Sequence, residues 1–121
     1  MVASDHYCGF HTISALCNLG NRTDQRSRND ILDTFMGYIE KRKLDPEIAT
    51  YMQSVGVGDI SKLKDKLFES NRWLSFDEVT LILKAYGRTP CGLTAYSFPV
   101  YDSGSSVFLC ANNHFEPIVA I

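Results

Sequence analysis

Two residues near opposite ends of the chain could share one reaction. Cys8 lies in Asp5-His6-Tyr7-Cys8-Gly9-Phe10-His11-Thr12-Ile13-Ser14-Ala15-Leu16, at the mouth of an apolar run. His114 lies in Asn112-Asn113-His114-Phe115-Glu116-Pro117-Ile118-Val119-Ala120-Ile121, ahead of a strand-like run, with Glu116 two residues on. A thiol, a distant imidazole and an acid beside the imidazole have the composition of a Cys-His-acid hydrolase. In such an enzyme the thiolate attacks a carbonyl and the histidine moves the protons. The element beneath Cys8 suits that task. Phe10, Ile13 and Leu16 recur at a spacing of three, with Cys17 and Leu19 behind them, as on the buried face of a helix. A helix that begins at Cys8 sets the thiol against unpaired N–H groups and the positive end of the dipole, which favours the thiolate. Gly9 has no side chain, so backbone or substrate can approach closely there. Each residue also has a plainer reading. Most free cysteines are small buried hydrophobes, and most lone histidines are satisfied surface or core residues.

Length and composition bound what surrounds this pair. The 121 residues make one domain, residues 1–121, with room for a real core. The balance of 45% hydrophobic and 21% charged residues is that of an ordinary globular chain. A net charge of −2 argues against a nucleic-acid partner, which calls for a basic excess. No apolar run approaches transmembrane length, and the opening residues do not have a signal-peptide pattern. Cys8, Cys17, Cys91 and Cys110 form neither a zinc-ligand spacing nor a disulfide framework, so no metal and no cofactor is expected. They fit a reducing compartment, the cytoplasm, where a thiol nucleophile survives. Cys17, Cys91 and Cys110 stand in apolar surroundings and read as inert. The candidate nucleophile stands almost at the start of the chain, which reads as a domain cut from something longer.

The elements that must position the pair follow in order. Asn18-Leu19-Gly20-Asn21 is a helix stop, with Gly20 as C-cap, and residues 21–26 read as a loop. Ser27 or Asn29 could cap the next helix, whose apolar face is Ile31, Leu32, Phe35, Met36 and Ile39. Glu40-Lys41-Arg42-Lys43 ends it as a solvated, mostly cationic helix end. Asp45-Pro46 opens a third helix, with Ile48, Tyr51, Met52 and Val55 inside and Gly56 and Gly58 breaking it. Asp59 caps a fourth, with Ile60, Leu63, Leu67 and Phe68 apolar. Ser75 and Glu78 have the spacing of a capping box for a fifth helix, closed at Gly87. There Trp73 reads as a core anchor and Asp77 and Glu78 as helix-end acids. Strands follow at 91–96, 107–111 and 114–121, the last two pairing antiparallel and holding His114 at a strand end. Helices followed by strands make an α+β fold, helical from 8 to 86 with a small, mainly antiparallel sheet from 91 to 121.

The pattern Asp5-x-x-Cys8-x-Phe10-His11-x-Ile13, followed late by His114-Phe115-Glu116-x-Ile118, resembles the ovarian-tumour (OTU) family of cysteine proteases. That family's usual task is cleaving ubiquitin from proteins. The Cys8-Gly9-Phe10-His11 variant also resembles the papain-like proteases of some RNA viruses, and the short length suits a minimal viral version. The likeness covers both ends of the chain and the block at Trp73, about a third of the residues; the middle helices match only in kind.

The resemblance implies an OTU-like, papain-type layout, with cysteine on a helix tip facing histidine on a strand. It implies a Cys8 nucleophile, a His114 base, and an Asp5 that shapes the loop donating N–H groups to the oxyanion. Glu116 stands where the family has Asp or Asn, one methylene longer, to orient the imidazole; Asn112 or Asn113 could substitute. His6 replaces the family's glycine after Asp5. It shares the Cys8 loop and is rejected as the base, while His11 matches a structural helical position. Trp73…Glu78 resembles the family's tryptophan-turn-acid block, beside the substrate. The implied partner is ubiquitin or a ubiquitin-like protein, bound by a monomer, in the host cytoplasm if the chain is viral. Two glycines end such a tail, so the cleft must be narrow, with Tyr7, Gly9 and Phe115 as candidate walls. Arginines precede those glycines, and Asp77 and Glu78 are the candidate acids for them. Two alternatives stay open: processing of a viral polyprotein by the same mechanism, and an inactive OTU-like domain that only binds its partner.

Overall fold

The computed structural model describes residues 8–17, 19, 25–69, 73–94, 106–111 and 114–118. Its elements are α1 Cys8–Leu16, α2 Gln25–Lys41, α3 Pro46–Val55, α4 Ile60–Leu67, α5 Phe76–Ala85, β1 Pro90–Thr94, β2 Ser106–Ala111 and β3 His114–Ile118. The expected α+β order holds. The sheet runs β1-β2-β3 and is mixed: β2 and β3 pair antiparallel as expected, while β1 pairs parallel to β2. A parallel neighbour needs a crossover, and the 11 residues 95–105 that make it lie outside the described residues. The apolar composition of these strands could not reveal direction. The expected ends of the first and last strands, 95–96 and 119–121, also lie outside, as does Gly20.

Local chemistry sets the helix ends. Helix α2 begins at Gln25, ahead of both Ser27 and Asn29, so neither caps it. In α3, Pro46 opens the helix and Gly56, at φ 82°, closes it in a left-handed turn. Asp59 accepts the Lys62 N–H at 2.8 Å and caps α4. The capping box of α5 is formed: Glu78 N–H donates to Ser75 Oγ at 3.2 Å, and Ser75 N–H to Glu78 Oε1 at 2.8 Å.

The core lies between the helices and one face of the sheet. Helix α1 is buried along most of its circumference, including Thr12 and Ser14, and packs on β3 and α5. Helix α2 adds the expected face, Ile31 to Ile39, and α5 adds Val79, Leu81, Ile82 and Leu83. Phe76 seats α5 on the sheet. Its ring stands 5.3 Å from that of Phe108 and occupies the space over Gly92, where any Cβ would collide with it. Arg28 is buried at 2% exposure and donates from Nη2 to the Leu67 and Glu69 carbonyls at 3.0 and 2.6 Å. It thereby closes the end of α4, with its guanidinium 5.4 Å from the Phe10 ring centroid on α1. Among the described residues no helix is long and apolar enough to cross a membrane.

Candidate active site

Cys8 is the first residue of α1, where the opening turn leaves its amide donors without intrahelical acceptors. A thiolate at that end meets the positive pole of the helix. The side chain is only 1% exposed and belongs to the core cluster. His114 is the first residue of β3, half-buried, with its Nδ1 enclosed.

Two contacts tie these elements together. The Cys110 thiol is pushed above its ordinary value, first by burial and then by electrostatic interaction with Cys8. Cys110 pairs with Phe115, one rung from the Ala111–His114 pair that ends the ladder. Helix α1, which Cys8 opens, packs along β3, which His114 opens. The second contact is at Gly9. A Cβ there would stand 3.0 Å from both Cβ and Cδ1 of Leu74, so Leu74 lies directly over the second residue of α1. Leu74 is buried, and the neighbouring Trp73 is 44% exposed. Helix α1, opened by Cys8, thus packs both on β3, opened by His114, and against Leu74 beside Trp73.

Several expected site residues take other places. The space that Gly9's missing side chain leaves is filled by Leu74. Phe115, at 2% exposure, packs in the core, its ring 6.0 Å from that of Phe108. Glu78 cannot meet a substrate arginine. It is fully buried; Oε1 accepts the Ser75 N–H and Oε2 the Tyr51 O–H at 2.6 Å. Trp73 is not a core anchor and presents its ring at the surface. Asp77, one residue before Glu78, is exposed. His11 is half-buried on α1. Asp5, Tyr7, His6, Asn112 and Asn113 lie outside the described residues, as does the side chain of Glu116, whose backbone pairs with Leu109.

Leu74 and Tyr51 were not legible as parts of this arrangement. Leu74 carried no signal beyond its place beside Trp73, and the Tyr51–Glu78 bond joins residues 27 apart. The Cys17 thiol is also raised, chiefly by burial, against the opposing pull of Arg88, which suits an inert cysteine. Among the described residues no three His, Cys, Asp or Glu side chains group to hold a metal ion.

No protein-family model matches the sequence, and no curated protein matches it. Solved structures do. The viral OTU domain protease from Dera Ghazi Khan virus matches with a TM-score of 0.68 over 97% of this chain and 76% of its own, at 16% identity. The viral OTU domain protease from Taggert virus matches with a TM-score of 0.67 over 97% of this chain and 77% of its own, at 14% identity. At these identities the likeness establishes the fold: the chain has the fold of viral OTU domain proteases.

Proposed function

We propose that this chain is an OTU-type cysteine protease that hydrolyses the peptide or isopeptide bond after the C-terminal glycine of ubiquitin or a ubiquitin-like modifier. The observation that supports the reading is the fold, which matches two viral OTU domain proteases along 97% of the chain and packs α1, opened by Cys8, on β3, opened by His114. In the reaction, the Cys8 thiolate attacks the glycine carbonyl carbon. The tetrahedral intermediate collapses to a thioester as His114 gives a proton to the leaving amine. Water, deprotonated by His114, then releases the carboxylate and restores the thiol. Asp5 shapes the oxyanion loop and Glu116 orients the imidazole. Trp73 offers an aromatic surface beside the tip of α1, and Asp77 an acid for the basic residues before the glycines.

One observation favours a second reading. Cys8 is 1% exposed inside the core cluster, as a packing residue would be, and a domain that binds a modifier without cleaving it needs no open thiol. A ubiquitin probe with a C-terminal electrophile separates the two. Protease chemistry predicts one covalent adduct mapping to Cys8, absent in Cys8→Ala and much slower in His114→Ala. A folded protein that forms no adduct with ubiquitin or several related modifiers, yet binds one of them, refutes the protease and establishes the binding module.

A further inference from the structure

Gly9, the second residue of α1, puts the least restrained residue type into the turn that carries Cys8. A helix start built on glycine lacks the order a side chain would give it. Leu74 supplies that order from another segment. A Cβ on Gly9 would stand 3.0 Å from Cβ and Cδ1 of Leu74 and 3.4 Å from its Cγ, so the leucine takes the place of the missing side chain. Leu74 is buried and is itself held. It precedes Ser75, whose N–H donates to Glu78 Oε1 at 2.8 Å and whose Oγ accepts the Glu78 N–H at 3.2 Å. Glu78 Oε2 accepts the Tyr51 O–H at 2.6 Å, and the Tyr51 ring packs 5.7 Å from that of Phe35 on α2. The leucine on the tip of α1 is thus tied, through a buried acid, to α3 and α2.

We propose that Leu74 is a positioning residue for the Cys8 thiol: seated on Gly9 and held by the Ser75–Glu78–Tyr51 node, it fixes the first turn of α1 and so the N–H groups that meet a thiolate there. The inference rests on the protease reading for the use made of that thiolate. The amides that open a helix act on an anion only within the first turn. A turn that frays directs them elsewhere. Glycine permits the fraying, and the leucine blocks any larger residue at position 9, so packing from the Leu74 segment is what keeps the turn formed. A leucine that only filled the core would add stability and nothing else. A positioning leucine also sets the thiol's hold on its proton and its rate of reaction.

Two readouts on the whole protein test this. The pH titration of the isotope-labelled Cys8 Cβ signal in NMR gives the thiolate fraction. A ubiquitin probe with a C-terminal electrophile gives the maximal labelling rate and the half-saturating concentration. Leu74→Ala should move the titration to higher pH and cut the maximal rate about 2- to 30-fold, the range of a charge's interaction with a helix end. The half-saturating concentration should not change. His114 on β3 and Cys110 on β2 are the same in every variant, so the displacement reports the helix tip. Leu74→Met, close in volume, should restore both readouts. Gly9→Ala should show the same loss, because its methyl meets Leu74 at 3.0 Å. Gly9→Ala combined with Leu74→Ala should lose less than the two singles together, since residues in contact are not additive. Leu74→Val takes the place of Leu74→Ala if the latter does not fold. Folded variants with the wild-type titration and rate, or losses that add in the double variant, overturn the inference. A folded wild type left unlabelled by the probe refutes the protease reading instead, and the titration, which needs no ubiquitin, still decides the role of Leu74.

Discussion

Asp77 and Glu78 are adjacent acids, and reversing their charges should have opposite consequences. Glu78 is fully buried and both its oxygens are engaged. Glu78→Lys removes the acceptor of the Ser75 N–H and of the Tyr51 O–H. An enclosed hydroxyl left without its acceptor costs about 1–3 kcal/mol. A buried charge stripped of compensation costs about 3–5 kcal/mol. Together these reach about 4–8 kcal/mol, against a total stability of roughly 5–15 kcal/mol for a domain. Glu78→Lys should therefore be largely unfolded or melt far below the wild type. Tyr51→Phe removes only the donor and leaves Oε2 buried, at a cost of about 1.5–3 kcal/mol. Asp77→Lys changes an exposed side chain, loses a favourable charge at the start of α5, and should cost no more than about 1 kcal/mol. Urea unfolding followed by circular dichroism reads all three. A Glu78→Lys protein within about 1 kcal/mol of wild type would refute the buried node, since surface substitutions fall in that range. Glu78 would then regain its standing as a substrate-facing acid.

Three further outcomes test the packing around the site. Gly92→Ala should destabilise by about 1–3 kcal/mol, because the new methyl meets the Phe76 and Phe108 rings; thermal unfolding against wild type measures it. Arg28→Met should cost about 1–3 kcal/mol and raise amide exchange at the end of α4, because two carbonyls lose their charged donor. Unchanged exchange there would show that Arg28 does not close that helix. The raised Cys17 thiol contributes stability that is complete below its ordinary value of 9.0 and is lost as pH rises through the higher folded value. The neutral thiol is the buried form, so the unfolded chain releases this proton first. Stability should fall as the pH rises past 9.0, and the fall should be shallower in Cys17→Ala; equal slopes would remove Cys17 as a cause.

The helices were legible because their signals are local. Ile31, Leu32, Phe35, Met36 and Ile39 recur at helical spacing, and all five are buried. Ser75 and Glu78 stand three apart, and the capping box they predict is formed. The parallel pairing of β1 was not legible, because Cys91 to Leu93 carry no mark of direction and the crossover that sets it lies in 95–105. The start of α2 at Gln25 was missed for a related reason. Ser27 and Asn29 are good caps by type, but packing of the whole apolar face, with Arg28 drawn into the core, holds the helix past them.

The site divides along the same line. Residue chemistry picked Cys8 at a helix start and His114 at a strand start, because both positions follow from local pattern. What a side chain faces depends on residues far away in sequence, and Gly9, Phe115 and Glu78 each face packing partners that no local pattern announces. Gly9 has the small size a narrow cleft needs, but the same property lets Leu74 pack on it. Phe115 stands beside His114 in sequence, yet strand alternation sends neighbours to opposite faces, and its face is the core. Glu78 has the charge to meet an arginine, yet Tyr51, 27 residues earlier, takes the oxygen that would do so. Asp77 was indistinguishable from Glu78 by type. Successive residues on a helix point about 100° apart, and that rotation alone turns one acid into the interior and leaves the other exposed.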